Sequence, residues 1–203
     1  MRTIIIAITA TAIIAFGIGF AVGSIKKPAL PGFHDMIVNH PNDLSALVTP
    51  GDPQVKRVAA ELKTAQNAYL FVRDRIVDDP SLPAMTAGEV IAVGRAGCLG
   101  KAVLLCSLYR AMGFAASQVR VVAGEVDIPN GIADHAWLDL EFNGIDLQQD
   151  ATNFLGRFGF DQFRGTTYTQ TFIRDEEIVF NDKQFAVVSP LNLLQGSGHP
   201  PIH

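Results

Sequence analysis

Cys98, His135 and Asp150 are the residues of this sequence whose types and spacing suit a common chemistry. Cys98 lies in GRAGCLGKAVLLCSLYRAMGF (94–114), directly after Gly97, where a helical pattern begins. A thiol at a helix start faces unpaired N–H groups and the positive end of the helix dipole. Both favour the thiolate, the form that attacks a carbonyl. Gly97 and Gly100 leave space beside it for a substrate. His135 and Asp150 flank Asn143–Gly144, a strong signal for a two-residue hairpin turn. With that turn, Phe142 faces Ile145, Leu140 faces Leu147 and Leu138 faces Gln149. Ala136, Leu138, Leu140, Phe142, Ile145 and Leu147 then share one apolar face, which supports the register. On the other face Trp137 lies across from Asp150 and His135 across from Thr152. His135 and Asp150 are thus diagonal neighbours, about 7 Å apart between backbones. A carboxylate there can fix the imidazole tautomer and stabilise the imidazolium. Together the three meet the needs of thiol acyl transfer: a nucleophile, a base that becomes an acid, and an orienting carboxylate. Convergence of Cys98 on His135 is an expectation for the tertiary structure.

Cys106, the second cysteine, lies eight residues after Cys98. On one helix the two would be about 12 Å apart along the axis. A disulfide needs α-carbons within roughly 7 Å, and a shared metal needs convergence of the CxxC kind. Cys106 instead joins Leu99, Ala102 and Tyr109 in an apolar stripe and reads as core filling. His34 and His40, and His199 and His203, lack ligand spacing. No phosphate-binding glycine loop is present, so neither cofactor nor metal is expected. Asp139, Glu141 and Asp146 read as a polar hairpin face, Asp134 as a loop residue, and Arg120 as a partner for an acid. Trp137 either shields the His135–Asp150 pair from water or simply packs.

These residues need elements to position them. Apolar residues at three- and four-residue steps from Val55 to Ile76 predict a helix over 53–77, ended by Asp79–Pro80 and Pro83. Thr86 and Glu89 form a capping-box pattern for a short helix to Gly94. The helix from Cys98 ends at Gly113, which suits a left-handed terminal position. QVRVVAGEV (118–126) reads as a strand, DIPNGIAD (127–134) as a loop, and 135–142 with 145–150 as the hairpin. HPNDLSALVTPGDP (40–53) reads as loop or short turns, TTYTQTFI (166–173) and FAVVSPLNLL (185–194) as strand-like, and IRDEEI (173–178) as a surface turn. The fold class expected is α+β, with the Cys98 helix packed on an antiparallel sheet and a hydrophobic helix at the N-terminus.

Three blocks in order resemble the transglutaminase-like superfamily of papain-type cysteine enzymes. TAGEVIAVGRAGCLGKAVLLCSLYRAMGFAASQVRVVAG is similar to its nucleophile block, DHAWLDLEFNG to its histidine block, and LQQDATN to its aspartate block. The resemblance spans about Val55 to Asn153. It implies a papain/transglutaminase-like core with Cys98 as nucleophile, His135 as general base and Asp150 as orienting carboxylate. Two positions depart from it. Ala151 stands where the family often has proline after the aspartate. Leu99 follows Cys98 where animal transglutaminases carry tryptophan, which counts against protein cross-linking of that type. Animal members can need calcium, but no calcium-loop pattern occurs here. Bacterial members are often peptidases or amidases. The expectation is a cysteine hydrolase acting on a protein or peptide. A transglutaminase using an amine acceptor, and a non-catalytic interaction domain of the same fold, remain open alternatives.

The chain has 203 residues and 48% hydrophobic residues, enough for one sizeable core. A net charge of −4 without a basic run speaks against nucleic acid as a partner. Thr3 to Ile25 is uncharged, between Arg2 and Lys26–Lys27, and long enough to cross a hydrocarbon core of about 30 Å. It reads as a single-pass anchor with the following domain outside the cytoplasm, periplasmic or at the cell surface. AVG before Ser24 leaves a cleaved signal and secretion as the alternative. The flanking charges specify orientation weakly, and the sequence does not specify oligomeric state. The division expected is 1–25 anchor or signal, 26–52 linker, 53–190 transglutaminase-like domain, and 191–203 tail.

Overall fold

The structure, a computed structural model, describes residues 41–189. The anchor or signal expected at 1–25, the first part of the linker and the 191–203 tail lie outside those residues. Among the described residues no helix is long and apolar enough to cross a membrane.

The chain runs α1 (Pro41–Leu47), α2 (Pro53–Leu62), α3 (Ala65–Arg75), β1 (Val77–Asp78), α4 (Ala87–Val93), β2 (Arg95–Ala96) and α5 (Cys98–Ala111). Then come β3 (Val119–Ile128), β4 (Gly131–Phe142), β5 (Ile145–Gln149), β6 (Phe163–Arg164), α6 (Thr167–Phe172), β7 (Ile173–Phe180) and β8 (Phe185–Val187). The fold is α+β. Helices pack on an antiparallel sheet of order β6-β5-β4-β3-β7-β8, and β1 and β2 form a small parallel pair.

Val119, Val121 and Ala123 of β3, Ala136, Leu138 and Leu140 of β4, and Ile178 and Phe180 of β7 bury one sheet face in a common core with α5. Every residue of α5 from Leu99 to Tyr109 is buried. The helix is therefore central rather than amphipathic, with α2, α3 and α4 among its neighbours on the side away from the sheet. The opposite sheet face carries a second cluster of Val122, Trp137, Phe158, Phe163 and Tyr168. The long connection after β5 thus covers the face that holds His135.

The β4–β5 hairpin has the register its turn signal implies: Phe142↔Ile145, Leu140↔Leu147 and Leu138↔Gln149. Asn143 and Gly144 both have positive φ, 54° and 74°, as a primed two-residue turn requires. The capping box at Thr86 and Glu89 is formed, and Gly113 is left-handed at φ 100°.

Other expectations are corrected. The helix expected over 53–77 is two helices. Asp52 caps α2, Lys63 turns left-handed at φ 65°, and the Thr64 hydroxyl caps α3. Apolar faces continue on both sides of the break, so periodicity conceals it. Residues 41–47, expected as loop or turns within the linker, are helical, and Leu44 is buried in the main core. The loop expected at 127–134 is strand, because β3 and β4 pair as far as Ile128↔Gly131. The surface turn expected at 173–178 belongs to β7. Its Ile178 and Phe180 belong to the main core while Val179 packs on the second cluster. The strand expected at 166–173 is α6, and of 185–194 only Phe185–Val187 is strand among the described residues. Gly124 has a steric role. A Cβ there would stand 2.0 Å from the Asp175 carbonyl oxygen, where the β3–β7 register shifts.

Candidate active site

Cys98 is the first residue of α5. Gly94 closes α4 in the left-handed conformation, β2 spans two residues, and Gly97 is the N-cap, with no side-chain capping bond. The first intrahelical bond runs from Lys101 N–H to Gly97 oxygen at 3.0 Å. The cap leaves the first-turn N–H groups around Cys98 without a side-chain acceptor, free for an anion. Both cysteines are free; Cys98 is half-buried and Cys106 fully buried. Burial, followed by the charge of Asp182, pushes the Cys106 thiol up and keeps it protonated.

His135 lies on β4 opposite Gly124. Strand β5 ends at Gln149, opposite Leu138, so His135 lies past the last β4–β5 pair. The chain turns there and delivers Asp150. His135 Nε2 and Asp150 Oδ2 are 2.9 Å apart, both groups buried. The Cys98 side chain lies near enough to the ring to raise its pKa. With Nε2 engaged by Asp150, Nδ1 is the ring nitrogen left to the thiol. The Phe154 ring, 5.4 Å from the imidazole between centroids, covers it from a half-exposed position.

Asp150 is fixed from every side. Its Oδ1 accepts the Thr152 N–H at 2.8 Å and the Thr152 hydroxyl at 2.7 Å. Its Oδ2 also accepts the Tyr168 hydroxyl at 2.9 Å. Its carbonyl oxygen accepts the Tyr69 hydroxyl at 2.8 Å, and Tyr69 reaches the Phe158 carbonyl at 3.1 Å as well.

Electrostatics follow from this packing. Burial alone would lower the His135 pKa. The charge and hydrogen bond of Asp150, then the bond and charge of Cys98, outweigh it and push it up to about 10. Burial alone would raise Asp150. The charge and bond of His135 and the Thr152 bonds hold its carboxyl below the usual range. The pair is therefore imidazolium and carboxylate at neutral pH. Burial and the Asp150 charge raise the Tyr168 hydroxyl, which stays protonated and remains a donor.

Tyr168, Tyr69 and Thr152 were not visible as site residues in sequence. Thr152 carried a local signal, since an aspartate followed two residues later by threonine suits a side-chain turn. Tyr168 carried none, because it lies 18 positions from Asp150 on a helix rich in β-branched residues. Trp137 packs 5.7 Å from the Tyr168 ring. Asp134 is on strand β4 rather than in a loop, paired with Glu125 and on the face opposite His135. Arg120 pairs with Asp139 at 3.2 Å. Among the described residues no group of three His, Cys, Asp or Glu side chains could hold a metal ion. His34, His40, His199 and His203 lie outside them.

The sequence matches no protein-family model and no curated protein. Two solved structures of Legionella pneumophila LapG are similar to the fold at 12% identity. The EGTA-treated one has a TM-score of 0.46, covering 79% of this chain and 88% of that one. The other has a TM-score of 0.47, covering 83% and 94%.

Proposed function

We propose that this chain is a transglutaminase-like cysteine hydrolase, a peptidase or amidase that acts by thiol acyl transfer. One observation carries the reading: the buried His135 ring stands 2.9 Å from Asp150, and Cys98, at the start of α5, is near enough to raise the ring's pKa.

Catalysis proceeds when Cys98 is the thiolate and His135 the imidazolium. Cys98 sulfur attacks the substrate carbonyl carbon, and the carbonyl electron pair moves onto oxygen. The Cys98 N–H and the positive end of α5 stabilise that oxyanion. His135 gives its proton to the leaving amine, the C–N bond breaks, and a thioester remains. Neutral His135 then takes a proton from water, whose oxygen attacks the thioester. The acid leaves and the pair is restored. Asp150 holds the ring through both halves and does not itself exchange the proton. The substrate is a protein or peptide. The segment 1–25 anchors the enzyme with its catalytic domain outside the cytoplasm.

Alkylation of Cys98 against pH tests the reading, followed by mass spectrometry so that Cys106 does not contribute. Reaction well below the range of an ordinary thiol, abolished in His135→Ala, is expected. A Cys98 that reacts only near and above about pH 8.5 and ignores His135 sinks the reading. A primary amine added to turnover then separates hydrolysis from transfer: unchanged products are expected.

A further inference from the structure

Lys101 lies one turn beyond Cys98 on α5 and is fully buried. A lysine is seldom enclosed in this way unless its charge is met. Here its ammonium meets Asp78 Oδ1. The other oxygen of the same carboxylate accepts two bonds from Asn153, its backbone N–H at 3.1 Å and its side-chain amide at 3.0 Å. Asp78 is also tied through its backbone. In the β1–β2 ladder it pairs with Ala96, two residues before Cys98.

The chain positions of these groups give the contact its meaning. Ala96 and Lys101 bracket Cys98. Asn153 follows directly on the Asp150–Thr152 turn and precedes Phe154, which lies over His135. Asp78 therefore joins the start of the nucleophile helix to the loop that carries the carboxylate, by one ion pair and two hydrogen bonds. His135 reaches its place from the sheet, where Ala136, Leu138 and Leu140 of β4 share a core with α5, and the loop after β5 has its own tie to α5 through Asp78.

We propose that Lys101, Asp78 and Asn153 form a clamp that sets the distance between Cys98 and the His135–Asp150 pair, with Lys101 and Asp78 as positioning residues. The inference rests on the acyl-transfer reading of the site. Without the clamp the Asn153 end of the Asp150 loop loses its tie to α5, and the approach of the thiol to the imidazole is no longer fixed from that side. A hydrogen bond between thiol and ring weakens steeply with distance and angle.

The test is the pH profile of Cys98 alkylation in the full-length chain, with thermal melting as the control for folding. Lys101→Met is expected to slow alkylation at pH 6.5 about tenfold and to move the profile towards an ordinary thiol, with Lys101→Arg recovering part of the loss. Asn153→Ala changes no charge and lies on an exposed residue, and is expected to slow the reaction two- to fivefold in the same direction. A cooperatively folded Lys101→Met with the wild-type profile overturns the clamp. If that variant does not fold, an Asn153→Ala protein with the wild-type profile overturns it. A wild-type profile that ignores His135→Ala is a separate result, which removes the acyl-transfer reading and the clamp with it.

Discussion

His135 Nε2 and Asp150 Oδ2 stand 2.9 Å apart just beyond the last ladder pair of their hairpin, Leu138 and Gln149. The ladder brings the two backbones close, and its end frees Asp150 to turn towards the ring. The contact is ionic because both groups are buried together and each is the nearest opposite charge to the other.

Replacing Asp150 by asparagine keeps the size of the side chain and removes the charge. Activity is expected to fall about 10³- to 10⁴-fold, as when the carboxylate behind a catalytic imidazole is neutralised. Stability will change with pH as well. The His135 pKa is raised to about 10 from an ordinary 6.5, so its contribution to stability is full below about pH 6.5 and is lost as pH rises through 10. Denaturant melts of the wild type should weaken across that window, and Asp150→Asn should flatten the slope. Equal slopes in the two proteins would contradict an ionic pair.

Tyr168→Phe removes one of the two donors to Asp150 Oδ2 and leaves the ring in its aromatic cluster. A loss of about 1 kcal/mol in stability is expected, with a several-fold drop in kcat and little change in KM. Asp150 then binds a proton more readily, so the acid limb of the activity profile should move to higher pH. A profile and kcat identical to wild type would show that the hydroxyl does not tune the carboxylate.

Glu177 is buried on β7, and its Oε1 has no hydrogen-bond partner among the described residues. Burial, followed by the charges of Asp134, Glu125 and Asp175, pushes its pKa up to about 7 from 4.5. The folded state therefore holds a proton that the unfolded state has released. Stability falls as pH rises through that window. Glu177→Gln should melt like wild type at pH 4 and be more stable at pH 8, by at most about 3 kcal/mol. A variant that is less stable at pH 8 would show that the carboxylate is stabilised by a contact of its own.

The chemistry of the site was legible in sequence as far as local geometry reaches. The Asn143–Gly144 turn fixes the hairpin register, because a slip by one residue would move Leu138, Leu140 and Leu147 to the wrong face. That register alone makes His135 and Asp150 neighbours. Gly97–Cys98 marks a helix start for equally local reasons, as does the Thr86–Glu89 box. Patterns that look alike locally were not resolved. The apolar spacing from Val55 to Ile76 continues in phase across the break at Lys63, and the threonine-rich run at 166–172 suits a strand yet folds as α6.

Only tertiary structure packs α5 against β4, because no spacing rule connects a helix start to a strand many residues later. The same holds for Tyr168 and Tyr69, whose hydroxyls reach Asp150 across 18 and 81 positions. It holds for Lys101 as well. It lies fully buried on α5. Its partner Asp78 is 23 positions earlier. Turns and caps are decided by neighbouring residues and their φ/ψ preferences. Buried charges are decided by which opposite charge shares the low-dielectric interior, and only the packed chain determines that.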